Sequence, residues 1–167
     1  MLVIDASAAL YAASARRGFD ALRGLDLVAP PLLWSETTSA IHERLRREDL
    51  SVELARRVLG AIRSAPIARE MPDELYRRAF EVADGLGWAK TYDAEYVALA
   101  DILECRLLTV DERLMRGAGL HVLQTRYFLY FPESLYRGTL ASLENWLSWL
   151  PLGGQYGVFA QKTCKKK

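Results

Sequence analysis

Four acidic residues occupy positions from which a folded chain could bring their carboxylates together. Asp5 and Asp111 each follow a short apolar segment. Glu36 lies in Trp-Ser-Glu-Thr, and Asp93 lies in Thr-Tyr-Asp-Ala. Converging carboxylates repel one another unless a cation lies between them. Because oxygen ligands in an open cleft suit Mg²⁺ or Mn²⁺, the four acids predict a divalent-metal site.

The strands that would position these acids are short apolar segments separated by helical patterns. We expect five strands, at residues 2–4, 27–29, 66–68, 106–110 and 121–123. Strands that alternate with helices form a parallel sheet covered on both faces, which makes the predicted fold class α/β. Right-handed crossovers bring the carboxyl ends of the first and fourth strands to one edge. Ligands of open α/β sheets bind at that edge.

Helical patterns place the remaining acids and their polar neighbours. Ser7 is the expected cap of the first helix. The next helix, predicted for residues 33–47, carries Glu36 in its first turn. Asp93 opens a helix that is apolar nearly all round, which is typical of a buried helix. Taken alone, Asp5 and Asp111 could simply be helix caps that follow strands.

Composition divides the chain near Leu123. The 167 residues, 51% hydrophobic and 26% charged, have ordinary globular usage. Residues 1–123 hold 16 basic and 19 acidic residues, whereas residues 124–167 hold 6 and 2, together with 9 of the 17 aromatics. We therefore predict one domain at 1–123 and a C-terminal extension at 124–167, with a helix at about 133–149.

Several kinds of protein are disfavoured by what the sequence lacks. No apolar run approaches the roughly 18 residues that cross a bilayer, and the N-terminus lacks a basic flank and a cleavage pattern. We expect no membrane association and a cytoplasmic location. Cys105 and Cys164 lack metal-ligand spacing, and Cys105 is expected in the core. His42 and His121 form no Ser/His/Asp arrangement and are expected to be structural.

The segments that contain the four acids resemble the PIN domain, and specifically toxins of the VapC type. The resemblance covers roughly residues 1–123 and rests on the combination of motifs. These are Asp-Ala-Ser at 5–7, Glu36 on the second helix, Tyr-Asp-Ala at 92–94 with Tyr-Val-Ala-Leu-Ala at 96–100, and Leu-Leu-Thr-Val-Asp-Glu-Arg-Leu at 107–114.

This resemblance implies a metal-dependent endoribonuclease with a three-layer α/β/α fold and a central parallel sheet of about five strands. It further implies an RNA substrate, a homodimer, and inhibition by a VapB-like antitoxin protein. The four acids match the acidic positions of the family, with Ser7 and Thr109 as polar neighbours. The implied cofactor is Mg²⁺ or Mn²⁺.

Phosphodiester hydrolysis suggests a role for each acid. The reaction needs an activated nucleophile and neutralisation of charge on the phosphoryl oxygens, both of which a divalent ion supplies. We expect Asp5 and Asp93 to bind the metal directly. Glu36 and Asp111 would orient the attacking water or complete a second metal site.

The sequence is compatible with two other classes of function. One is a catalytically inactive member of the same fold that binds RNA or acts as a scaffold, because a fold alone does not settle activity. The other is a haloacid-dehalogenase-like phosphatase, which would carry a second Asp where this chain has Ser7. No aromatic platform for stacking single-stranded bases is visible in the sequence.

Overall fold

The computed structural model describes residues 1–118, 121–128 and 155–161. The strands in these ranges are β1 (Leu2–Ile4), β2 (Leu27–Ala29), β3 (Ile67–Arg69), β4 (Arg106–Thr109), β5 (His121–Phe128) and β6 (Gln155–Gln161). The helices are α1 (Ala6–Ser14), α2 (Leu32–Arg46), α3 (Val52–Arg63), α4 (Leu75–Leu86), α5 (Tyr92–Ile102) and α6 (Glu112–Gly117), with a 3₁₀ helix at Gly18–Leu22.

One sheet contains all the strands of the described ranges, in the order β3-β2-β1-β4-β6-β5. The first four strands are parallel. Leu2 of β1 lies opposite Leu27 of β2 on one side and Arg106 of β4 on the other. The predicted α/β fold class with a central parallel sheet is therefore confirmed.

The fifth strand differs from its prediction in length and in neighbour. β5 extends to Phe128, and β6 lies between β4 and β5, antiparallel to both. The sequence-based expectation of five successive parallel strands was wrong here, because the hydrogen-bonding edge of β4 is taken by a segment about fifty residues farther along the chain. β5 crosses Leu123, and β6 belongs to the extension. The division into two parts stays a prediction, and the helix at 133–149 lies outside the described residues.

The helices cover both faces of the sheet. α1 packs with α2 and α3, and α4 packs with α5. The right-handed rule for parallel crossovers places these two groups on opposite faces of the sheet. β1 and β2 are buried along their whole length. On α5, every residue from 94 to 99 is buried, as its apolar pattern predicts. Fully buried leucines such as Leu33, Leu75 and Leu99 each contribute roughly 2 kcal/mol through removal of apolar area from water.

Two helix ends and the environments of His42 and Cys105 are well defined in this structure. Ser51 caps α3 by accepting from the Leu54 N–H at 3.2 Å, and α4 ends at Gly87, whose φ of 68° is left-handed. His42 is exposed on α2. Cys105 is half-buried and packs against the core. Among the helices of the described ranges, none has the length and apolar character that crossing a bilayer requires.

Candidate active site

The carboxyl ends of β1 and β4 form the crevice where ligands of open α/β sheets bind. From β1 the chain builds outward through β2 to β3 and then returns to the other side of β1 at β4. This reversal is a topological switch point. Asp5 directly follows β1, its N–H donating to the Leu108 carbonyl at 3.1 Å. Thr109 is the last residue of β4.

Asp5 is 4% exposed and both of its carboxylate oxygens accept hydrogen bonds. Oδ1 accepts from the Ala8 N–H at 2.8 Å and from Ser7 Oγ at 2.8 Å. Oδ2 accepts from the Thr109 hydroxyl. Asp5 is therefore the N-cap of α1, and the prediction that Ser7 is the cap was wrong. The Ser7 hydroxyl instead accepts from the Val110 N–H at 3.2 Å and links the ends of β1 and β4.

Burial raises the pKa of Asp5 from 3.8 to about 7. Hydrogen bonds from Thr109, Ala8 and Ser7 lower this pKa, but they do not offset the cost of placing a charge in the interior. The nearby Glu36 carboxylate raises the pKa further. In the metal-free protein near neutral pH, Asp5 is therefore protonated in a substantial fraction of the molecules.

A hydrogen bond between α2 and α5 fixes Glu36. The Tyr96 hydroxyl donates to Glu36 Oε2 at 2.7 Å, and the Tyr96 side chain is 1% exposed. Burial raises the pKa of Glu36, the Tyr96 bond lowers it, and the charges of Asp93 and Asp111 raise it. Burial also raises the pKa of Tyr96, which keeps the phenol a donor. In the sequence Tyr96 is only one residue of an apolar face, although a buried Tyr hydroxyl usually needs a partner.

Asp93, on α5, and Asp111, which follows β4, interact electrostatically. Burial raises the pKa of Asp93, and the Asp111 charge adds to this rise. Burial also acts to raise the pKa of Asp111, but hydrogen bonds from Arg113 and Leu114 outweigh it and lower that pKa. Asp111 Oδ1 accepts from the Arg113 N–H at 2.7 Å, and Oδ2 accepts from the guanidinium at 3.2 Å. Asp111 thus caps α6 as well as lining the crevice.

The four acids form one electrostatic cluster centred on Glu36. The charges of Asp93 and Asp111 both act on the pKa of Glu36, and Glu36 in turn acts on Asp5. Among the described residues, Arg113 is the cation that forms an ion pair with a member of the cluster, and its side chain is 92% exposed. In the part of the crevice that the structure describes, carboxylates outnumber cations, which favours a cationic ligand.

A fifth carboxylate lies beside this cluster. Glu95, in the first turn of α5, is buried, with 9% exposure. Burial and the charge of Glu36 both raise its pKa. The sequence feature that indicates this burial is the position of Glu95 in a helix that is apolar nearly all round, where few side chains can reach water.

In the described residues, the acidic side chains are not spaced as ligands of one metal ion. Within the part of the chain that the structure describes, no three His, Cys, Asp or Glu side chains are close enough to hold one ion. Asp111 is turned toward Arg113, and Glu36 is turned toward Tyr96. Metal binding would therefore require rearrangement of at least one carboxylate.

Comparison with known proteins identifies the family. Residues 2–120 match the family described as PIN domain. The chain belongs to the PIN-domain family. This PIN domain is 38% identical over 118 residues to VapC ribonuclease Mb0985 of Mycobacterium bovis and to Ribonuclease VapC9 of Mycobacterium tuberculosis. Each match covers 68% of this chain and 88% of the relative.

A solved structure agrees with the assignment. PAE2754 from Pyrobaculum aerophilum superposes on this PIN domain with a TM-score of 0.55 and 26% sequence identity, covering 70% of this chain and 84% of that protein. The predicted resemblance to PIN domains of the VapC type is confirmed. The family match ends at residue 120, so β5 and β6 lie beyond it.

Proposed function

We propose that this PIN domain is a metal-dependent endoribonuclease and the toxin of a VapBC-type toxin–antitoxin pair. The observation that carries the proposal is that Glu36 interacts electrostatically with Asp5, Asp93 and Asp111 near the switch point of the sheet. The family and the relatives named as VapC ribonucleases support the same reaction class. The proposed substrate is an RNA phosphodiester bond.

The chemistry of the cluster fits a hard divalent ion. Its donors are all carboxylate oxygens, which Mg²⁺ and Mn²⁺ prefer, and their charges repel one another without a cation. Asp5 and Asp93 would hold the ion, with Glu36 and Asp111 completing the set. When bound, the ion supplies a Lewis acid that stabilises negative charge on the phosphoryl oxygens and makes water a better nucleophile.

The protein's own side chains would orient the reacting groups. Ser7 and Thr109 fix both oxygens of Asp5 in one rotamer. Tyr96 occupies Oε2 of Glu36, which leaves Oε1 to accept a proton from the attacking water. The raised pKa of Glu36 suits such a general base. The exposed guanidinium of Arg113 can leave Asp111 and neutralise an RNA phosphate.

The same cluster suggests how a partner would inhibit the enzyme. An antitoxin of the VapB type could lay a segment over the crevice and place an Arg guanidinium against the carboxylates, replacing the charge of the metal. We further propose that the protein forms a homodimer and is located in the cytoplasm.

The first test is RNA cleavage by the purified full-length protein. We expect cleavage in Mg²⁺ or Mn²⁺ and none in chelator, because the carboxylates alone cannot offset the charge of the transition state. Expression in bacteria should slow growth, and a small protein encoded beside the gene should restore it. Folded protein that leaves RNA intact in both metals would reject the nuclease and favour an RNA-binding or scaffolding role.

Metal binding should also stabilise the fold. An ion at about 100 times its dissociation constant adds roughly 2.7 kcal/mol to the free energy of unfolding. We expect Mg²⁺ or Mn²⁺ to raise the melting temperature of wild type and to have a much smaller effect on Asp93→Asn. The matched control is Asp49→Asn, an exposed Asp between α2 and α3. Equal metal-induced shifts in all three proteins would show that the ion binds elsewhere.

A further inference from the structure

Two pairs of cationic and aromatic side chains lie beside the acidic cluster. The Arg69 guanidinium carbon lies 4.5 Å from the centroid of the Trp34 ring. The Lys90 ammonium lies 5.9 Å from the centroid of the Tyr92 ring. Both distances fall within the range of cation–π attraction. The sequence did not reveal the first pair because its members are separated by 35 positions and meet only in the fold.

Both pairs lie at the edge of the sheet where the four acids converge. Trp34 is in the first turn of α2, two residues before Glu36, and Arg69 is the last residue of β3. Tyr92 opens α5 and directly precedes Asp93. The Trp34–Arg69 pair joins the first turn of α2 to the end of β3, whereas the Lys90–Tyr92 pair lies at the start of α5. The pairs therefore accompany different acids, Glu36 on α2 and Asp93 on α5.

The surfaces of these pairs are available to a ligand. Arg69 is exposed, and Tyr92 is 54% exposed. Trp34 is partly buried and packs against the core, so its ring supports the guanidinium from beneath. Among the described residues, no carboxylate pairs with Arg69 or Lys90. These two cations are thus free to act on an external anion beside a cluster that repels phosphate.

We propose that the two pairs are nucleobase subsites for single-stranded RNA, one on each side of the bond to be cleaved. This inference rests on the proposed function and names its substrate class. One base stacks on the outer face of the Arg69 guanidinium and another on the exposed ring of Tyr92, while Lys90 contacts the adjoining phosphate. Unpaired bases stack on aromatic rings and guanidinium planes, whereas bases in a duplex are already stacked.

The test uses full-length protein and short single-stranded RNAs that carry one 2-aminopurine at successive positions. An Asp5→Asn background prevents cleavage of the probe, and stacking quenches 2-aminopurine fluorescence. We expect quenching at two positions, with Arg69→Ala abolishing it at one and Tyr92→Ala at the other. Each variant should weaken RNA binding on the order of tenfold, since stacking contributes about 1–3 kcal/mol per base. Trp34 is not replaced, because it packs against the core.

Matched controls remove equivalent groups elsewhere on the surface. Phe80→Ala deletes an exposed aromatic side chain of α4, and Arg63→Ala deletes an exposed arginine of α3. Both should keep the quenching and the affinity. Unchanged quenching in Arg69→Ala and Tyr92→Ala, absence of RNA binding, or equal affinity for a duplex would each overturn the subsites. If wild type fails to cleave RNA but the quenching persists, the proposed endoribonuclease function is rejected, whereas the nucleobase subsites are supported.

Discussion

Asp5→Asn is expected to abolish metal-dependent RNA cleavage while leaving the metal-free fold at least as stable as wild type. Asp5 would act by holding the ion, and losing the stabilisation of developing charge that such an ion supplies typically costs about 10²-fold or more in rate. Asp5 is the most buried of the four acids and directly follows the central strand β1. Replacing Asp5 should therefore reduce metal-dependent cleavage more than replacing an acidic residue that is exposed on the surface.

The hydrogen bonds around Asp5 explain why the fold should tolerate asparagine. The Ala8 N–H can continue to donate to the remaining carbonyl oxygen, as it now donates to Oδ1. The hydroxyls of Ser7 and Thr109 can rotate to accept from the new amide group. Asparagine thus resembles protonated aspartate, the form that burial favours.

Cleavage rates and melting curves in chelator at pH 7 measure both effects on the same preparations. The matched control is Asp26→Asn, an exposed Asp that precedes β2, whereas Asp5 follows β1. That control should keep full activity. Cleavage retained in Asp5→Asn would remove Asp5 from the site. Loss of activity with a much lower melting temperature would mean that Asp5 serves mainly as the cap of α1.

The metal-free protein is expected to lose stability from the ionisation of Asp5 as pH rises. Its pKa is about 7 in the folded state and 3.8 in the reference state, so between these values the folded chain holds a proton that the unfolded chain has released. Stability from this group is complete below about pH 4 and is lost as pH approaches 7. The expected loss is about 4 kcal/mol, at 1.36 kcal/mol per pKa unit.

Neighbouring acids modify this dependence in both directions. The pKa values of Glu36 and Asp93 are also raised, so their ionisation destabilises the metal-free fold in the same sense. The pKa of Asp111 is lowered, so its contribution is instead lost as pH falls below the ordinary range of Asp. A comparison of wild type with Asp5→Asn separates the contribution of Asp5 to stability from those of the other three acids.

Urea unfolding in chelator between pH 4 and pH 8 measures the effect. The stability of Asp5→Asn relative to wild type should rise steadily with pH and level off above about 7. Saturating Mg²⁺ or Mn²⁺ should reverse the trend in wild type, since deprotonated carboxylates bind the ion better. A difference that does not change with pH would show that Asp5 ionises normally in the folded protein.

Local sequence patterns predicted most of the fold and selected the four acids as candidate site residues. Short apolar segments of strand length located β1 to β4 closely, because side-chain periodicity is a local property. Asp5 follows β1 directly, so its place at the carboxyl edge follows from the alternation of strands and helices alone. The buried character of α5 could likewise be predicted from its apolar residues.

Only the tertiary structure decided which side chains meet. Tyr96 reaches Glu36 across 60 positions, and Arg69 reaches Trp34 across two elements. The burial of Glu95 and the insertion of β6 beside β4 also depend on neighbours that come from distant parts of the chain. Periodicity tells which face of an element is apolar, but not which partner covers it. Contacts, pKa shifts and strand order are therefore fixed by long-range packing, whereas strand positions and residue types are fixed locally.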